Sequence, residues 1–373
     1  MFSLKWKRGD FTEAAMHDPK LAKVLFDDEG QLRMLGLREM ASVKWKAHQI
    51  FSVEGQVHID TLLSNFALNY LDLQDQAIAP MFMPVLPVPF KSGGYPIWNQ
   101  ADLWRLEDDF RAEGTEANQI GYRVTSGQYY CRNFALKDRT VIEAMNNADP
   151  AIALMMRDQS KAQAIMNKLL LGMEVRVSSL VFTTGNVGSS AAVASAWNAS
   201  TSGNSNPVGD LNTAIDNVQN ATGYRPNMFV MGVNAWKAAR RHGDIVTKST
   251  NPNYLAGGNY PNVLQVAQLF EVDAIFVGGA QINTAQPGAA YSGTRVWGSQ
   301  ALVCFNQLQP SINVPTFCAA FEWQGGPVPN WSVRRFAYEE KTDAQEIQIG
   351  YYRDERIVSK PLGFLLTGVS SIT

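Results

Sequence analysis

Residues 210–223, DLNTAIDNVQNATG, run straight into residues 224–245, YRPNMFVMGVNAWKAARRHGDI. Leu211, Ala214, Ile215 and Val218 recur at helical spacing. Asp210 has the short polar side chain that caps a helix start, and Gly223 can take the left-handed turn that ends one. MFVMG, at 228–232, then reads as a short buried strand. Asn234 caps a second helix, NAWKAARRHG, ended by Gly243, where Arg240, Arg241 and His242 meet the negative end of the helix dipole. A third helix begins at Pro261 and carries VLQVAQLF, and the strand AIFVGG follows. This alternation of helix and strand marks an α/β region.

Working outward, the chain beyond Ser292 turns β-rich: TRVWGSQALVCF, TFCAAFEW, and a stretch from Trp331 through IQIGYY to PLGFLLTG. Upstream, residues 185–207 are low in complexity and rich in Gly, Ser, Ala and Asn, which predicts a flexible surface loop or domain junction. Before that lies the clearest helix. Asp149 suits its N-cap and Pro150 its first position, and Ile152, Met155, Met156, Ile165, Met166, Leu169, Met173 and Val177 keep near one face as far as Ser178. A strand, SSLVFTT, is expected to follow directly.

Residues 90–140 read as a long β-hairpin. Its outgoing arm, Tyr95 to Leu106, carries Trp98 and Trp104. Its returning arm alternates Ile120, Tyr122 and Val124, then Tyr130, Arg132, Phe134 and Leu136 after a break at Gly127. Between the arms, LEDDFRAEGTE places five acids from Glu107 to Glu116, with Asp108 and Asp109 among them. A lone two-stranded ribbon cannot stabilise an aromatic face in water, so that face must lie on something. Ahead of it, IAPMFMPVLPVPF carries four prolines from Pro80 to Pro89, which predicts an extended connector with neither helix nor central strand. Residues 1–56 mix charged and apolar residues in a helix-friendly way, as a docking arm would.

With 373 residues, the chain has room for two or three domains at roughly 150 residues each. Its hydrophobic share of 46% supplies a sizeable core. Charged residues are only 18%, below the usual share of about 25%. Balanced charge, 32 basic against 34 acidic residues, argues against a whole-chain nucleic-acid or anionic-membrane binder. Amides fill the gap: 25 Asn and 21 Gln together outnumber the carboxylates. A polar, weakly charged surface suits a protein pressed against other copies, because interface cores are depleted in charge. The opening MFSLKWKRGDF lacks the apolar core of a signal peptide, and no apolar run is long enough to span a membrane. The chain is expected to stay inside a cell or something assembled in one.

The sequence carries no familiar catalytic pattern. The Gly pairs at 257–258 and 278–279 lack dinucleotide-binding spacing, and neither a phosphate-binding P-loop nor a nucleophile elbow occurs. His17, His48, His58 and His242 are scattered without ligand spacing, and Cys131, Cys304 and Cys318 read as buried small hydrophobes. The expectation is a non-enzyme with no cofactor and no metal.

The order of elements resembles the major capsid proteins of tailed double-stranded DNA phages, with the Hong Kong 97-type fold. The motifs that carry it are Thr222-Gly223 with Pro226-Asn227, the helix ending at His242-Gly243-Asp244-Ile245, LQVAQLFEVDAIFVGGA, and RVWGSQALV. One departure is Glu271, where the family often has Gly. The resemblance implies an α+β fold in six parts: an N-terminal arm (1–78), a Pro-rich connector (79–89) and an extended loop (90–140). After these come a peripheral domain with a spine helix (141–184), an axial domain (185–330), and C-terminal strands returning to the peripheral domain (331–373).

It also implies a shell of homo-pentamers and homo-hexamers in the virion, assembled in the host cytoplasm. The shell encloses double-stranded DNA without sequence-specific binding; its partners are a portal, a scaffolding protein and a decoration protein, with no membrane. In such shells the extended loop lies over a neighbour, so Trp98, Trp104, Tyr122, Tyr130 and Phe134 are expected to bury there. Glu107, Asp108 and Asp109 would then meet basic residues such as Arg334 and Arg335. No lysine lies between Lys91 and Lys137, so the covalent cross-linking of some relatives is not expected. An encapsulin-like compartment and an α/β enzyme are the alternatives.

Overall fold

The structure, a computed structural model, describes residues 58–59, 77–98, 105–121, 124–147, 158–198, 205–249, 260–309, 314–326, 331–339 and 341–371. The chain divides into residues 1–58 and 59–373, and the elements named below belong to the second unit. In chain order they begin with helix α1 (Ala79–Phe82) and strands β1 (Val85–Val88), β2 (Ser92–Trp98), β3 (Val124–Tyr130) and β4 (Arg132–Val141). Helices α2 (Ile142–Asn146) and α3 (Asp158–Val181), strand β5 (Ser189–Ala192) and helix α4 (Pro207–Thr222) follow. Next are strand β6 (Met228–Gly232), helices α5 (Val233–Arg241), α6 (Gly243–Ser249) and α7 (Val263–Phe270), and strand β7 (Ala274–Gly278). Then come strands β8 (Gln281–Asn283), β9 (Gly293–Arg295), β10 (Ala301–Cys304), β11 (Cys318–Trp323), β12 (Ser332–Arg335), β13 (Ala344–Ile357) and β14 (Gly363–Thr367).

Strand β13 organises the peripheral sheet. One of its edges pairs antiparallel with β4, from Ala344 opposite Val141 to Arg353 opposite Arg132. The other edge pairs with β12 and then, further along, with β11. Strand β1 adds to β11 in parallel. Helix α3 lies on this sheet because Ala162, Ile165, Met166, Leu169, Leu170, Met173, Val177 and Val181 form one buried stripe. The stripe shares a core with Ile347, Ile349 and Tyr351 of β13. Each such side chain contributes about 1.5–3 kcal/mol when fully buried.

Polar groups fasten the same contact. Glu322 of β11 and Arg353 of β13 face each other across the sheet, 2.6 Å apart and almost wholly buried. Arg353 also reaches Met173 Sδ of the helix. From the helix side, Arg176 pairs with Glu355 at 2.9 Å, donates to the Tyr351 hydroxyl at 2.7 Å, and stacks 3.8 Å over the Phe134 ring.

The axial sheet has the order β5-β14-β10-β6-β7. Its strands alternate between two cores, as the period of two demands. Met228, Val230, Leu302, Cys304 and Leu365 face the core shared with α3, while Phe229, Met231, Ala301, Val303, Phe364 and Leu366 face helices α4 to α7. Trp297, with no exposed surface, sits where the axial sheet meets α3 and donates its indole N–H to Glu174. A Cβ on Gly278 would come within 2.2 Å of that ring, so the end of β7 has to stay bare.

Several expectations are corrected. The 79–89 segment is not a plain connector: α1 accepts Pro80 in its first turn, where a missing N–H is harmless, and β1 tolerates proline as an outer strand. The strand SSLVFTT is instead the end of α3 as far as Val181. There Ser178 Oγ donates to Val296 O and Ser179 Oγ to Val175 O, and Val177 and Val181 are buried, so packing overrides β propensity.

Residues 185–207 hold strand β5 and the buried Trp197, whose indole donates to Asp210 at 2.8 Å. Asp210 is thereby occupied, and Asn206 caps α4 in its place. Gly232, not Asn234, is the N-cap of α5, which ends before Gly243 opens α6. Helix α7 starts behind an Asn262–Gln265 capping box.

Domain limits shift too. Strand β4, within 90–140, and β11, within 185–330, belong to the peripheral sheet, whereas β14, within 331–373, belongs to the axial sheet. Strands follow hydrogen-bonding partners, not chain order. Asp149, Pro150 and residues 1–56 lie outside the described residues.

Candidate functional site

The ribbon β2–β3 pairs antiparallel from Ser92 opposite Tyr130 to Trp98 opposite Val124. Gly127 lies inside β3 and does not break it; a Cβ there would come within 2.3 Å of the Tyr95 ring. The strand breaks instead at Cys131, whose N–H donates to Lys91 O at 2.8 Å. The ribbon's root is supported by its own chain. Tyr95 and Tyr129 each stack on Phe321 of β11, with ring centroids 4.9 and 4.8 Å away. Tyr130 N–H donates to Asp354 at 2.8 Å, and the Trp323 indole donates to Pro89 O at 3.0 Å. Burial raises the phenol pKa values of Tyr95 and Tyr129, and burial followed by the Asp354 charge pushes the Cys131 thiol up to about 11. That thiol stays neutral and unreactive near neutral pH.

Residues 105–121 have no strand pairing. Their polar groups close on one another. Phe110 N–H donates to Asp108 Oδ1, Asn118 Nδ2 donates to Asp108 O, Arg111 Nε donates to Thr115 O at 2.6 Å, and Thr115 Oγ1 donates to Ala112 O. The apolar groups turn outward: Leu106 is 96% exposed, Phe110 78% and Ile120 56%. Those three were not among the expected contact residues, although the pattern of apolar residues between acids was visible.

Among the described residues, the expected contact residues fall in different surroundings. Phe134 is half-buried within its own chain under Arg176 and beside Tyr351. Tyr130 is about half exposed, with the Lys91 ammonium 5.3 Å from its ring centre. Glu107, Asp108 and Asp109 are exposed on the loop. Arg335 is ion-paired to Asp158 at the start of α3, and Arg334 lies beside it in β12, half-buried. The side chain of Trp98, and all of Trp104 and Tyr122, lie outside what is described.

Elsewhere, Glu174 is 1% exposed, accepts the Ala79 N–H at 2.6 Å and receives the Trp297 indole. Desolvation raises its pKa to about 6. Burial also raises Cys304 and Cys318. Among the described residues no group of three or more His, Cys, Asp or Glu could hold a metal ion, and no helix is long and apolar enough to cross a membrane. What the arrangement offers is a stiff, two-sheet body and a projecting loop with exposed apolar groups.

No family model matches the chain. A major capsid protein of Pseudomonas phage JBD67 is 26% identical over 317 residues, covering 82% of this chain and 95% of that protein. A major capsid protein of Burkholderia phage BcepMu is 23% identical over 252 residues, covering 67% and 77%. Among solved structures, a phage-related protein of Bordetella bronchiseptica superposes with a TM-score of 0.63 at 18% identity, covering 85% of this chain and all of that one. The chain is thus similar along most of its length to two phage major capsid proteins and shares its fold with the Bordetella phage-related protein.

Proposed function

We propose that the chain is the repeating subunit of a phage head. Copies assemble as pentamers and hexamers into a closed icosahedral shell around double-stranded DNA, which they contain without reading its sequence. The observation that carries this is the 26% identity to a phage major capsid protein through 95% of that protein's length. The protein works as a building block of the virion, assembled in the host cytoplasm, and not as a catalyst. A portal, a scaffolding protein and a decoration protein are the partners this reading brings.

The body has properties a tile needs. The buried Glu322–Arg353 pair ties β11 to β13, and Arg176 with the Arg353–Met173 contact ties α3 to the same sheet. Breaking one partner of such a buried pair costs about 3–5 kcal/mol, so the two strands stay locked in register. Near-neutral net charge, −2, spares a close-packed wall of copies from mutual repulsion. The long loop supplies reach. Purified full-length protein is expected to form capsomers or closed particles by size-exclusion chromatography and electron microscopy, and particles from infected cells to hold DNA. A stable monomer or dimer at all concentrations overturns the proposal, and particles filled with protein cargo in place of DNA point to a compartment shell.

A further inference from the structure

Charge in this chain is sparse and balanced, so a local excess stands out. Lys237, Arg240 and Arg241 of α5 and Lys248 of α6 share their segment with one acid, Asp244, which leans on His242 at 3.6 Å. From Ile245 to Phe270 the sequence holds no charged residue besides Lys248. The C-terminal dipoles of the two helices offset about 0.5 charge each, which leaves a surplus of about two positive charges.

Geometry concentrates that surplus. Helix α6 packs against both α5 and α7, and Tyr260 lies just ahead of α7. The Arg240 and Arg241 guanidiniums both lie over the Tyr260 ring, 5.6 and 5.9 Å from its centre. Sharing one ring holds two like charges side by side and restrains two long side chains in advance of any binding. The Arg240 Nε is buried without a hydrogen-bond partner. Among the described residues no carboxylate pairs with any of the four cations.

Lys237 and Arg241 are exposed four positions apart on one side of α5, about 6 Å along its axis. Duplex DNA carries a charge per about 1.7 Å of its own axis, so that span meets about three phosphates. A protein partner needs an apolar anchor, and among the described residues α5 and α6 expose no large apolar side chain. The surface therefore suits a polyanion held by charge alone.

Resting on the capsid reading, we propose that Lys237, Arg240, Arg241 and Lys248 form a contact site for the phosphates of the enclosed duplex DNA, which puts α5 and α6 on the inner wall of the shell. Such a contact is salt-sensitive, blind to sequence and loose enough for the duplex to slide past as the shell fills.

Anisotropy of a short fluorescent duplex with unassembled full-length protein, at rising salt, tests this. Affinity is expected to fall steeply with salt. The triple substitution Lys237→Gln, Arg241→Gln and Lys248→Gln is expected to flatten the log–log slope by about 0.9 per cation and to weaken low-salt binding about tenfold or more. Lys237→Arg with Lys248→Arg is expected to keep the slope, since a phosphate reads either residue as a cation. Unmodified protein that shows no salt-dependent binding, or a triple variant with an unchanged slope, overturns the proposal. So does displacement of the duplex by polyglutamate at equal charge, which points to an acidic protein as the partner. If the triple variant misfolds, ultraviolet cross-linking decides: in DNA-filled particles from infected cells, nucleotide adducts are expected on peptides from 233–260, and adducts only elsewhere overturn the proposal. Particles without DNA, or a chain that never assembles, defeat the capsid reading itself and are seen before irradiation.

Discussion

The root and the tip of the ribbon are built from similar side chains and have opposite fates. At the root, Tyr95 and Tyr129 sandwich Phe321, and Tyr129 is 7% exposed. At the tip, Leu106 and Phe110 face outward from a turn whose polar groups are already paired. One piece of chain is thus half core and half exposed apolar surface. Apolar character does not separate the halves; the presence of β11 beneath one of them does.

The strongest way to break the comparison is to remove the root's support. Phe321→Ala takes away both stacks and a buried ring, and is expected to cost about 3–5 kcal/mol in urea unfolding of the subunit. A loss under about 1 kcal/mol would mean the root, like the tip, waits for a neighbour.

A middle-sized effect concerns Glu174, which accepts the N–H of Ala79 at the start of α1, ahead of the ribbon. Its folded pKa of about 6 lies above the ordinary carboxyl value of 4.5, so the folded state holds the proton more tightly than the unfolded one. The protonated form is therefore the stabilising one. That contribution is full below about pH 4.5 and is lost as pH rises through about 6, by about 2 kcal/mol at most. Unfolding midpoints across pH 4.5 to 7 should show this fall in the unmodified chain and a shallower one in Glu174→Gln; identical slopes would remove Glu174 from the account.

The smallest effect sharpens the contrast from the other side. Leu106→Ser with Phe110→Ser should change subunit stability by no more than about 0.5 kcal/mol, as exposed positions do. A larger loss in the isolated subunit would show the tip packed on its own chain.

What the sequence disclosed follows the range of each interaction. Helix α4 was legible from Leu211, Ala214, Ile215 and Val218, and its end from Gly223, which is left-handed in the structure. Buried strand β6 was legible because both of its faces are apolar. Even the odd residue of the family pattern has a location: Glu271 caps α7 in the left-handed region, at φ 53°, where glycine is at ease, and pairs with Arg225. Long-range facts were not legible. Nothing near Ser178 announces that its hydroxyl will find Val296 O, and nothing near Tyr95 announces Phe321. Weak local signals misled in the same way, since Ser- and Ala-rich neighbours hid the buried Trp197 and its bond to Asp210. The loop was half legible: its run of acids stands out in the sequence, while the outward exposure of Leu106 and Phe110 depends on the turn they sit in.

Strand β14 occupies the position between β5 and β10 in the axial sheet, though it is the last strand of the described chain. Strand β5 leaves the ribosome long before its partner exists, so its pairing waits on residues 363–367. The middle of that sheet is thus completed by residues made about 170 positions after β5, and β5 and β10 have no common neighbour until then.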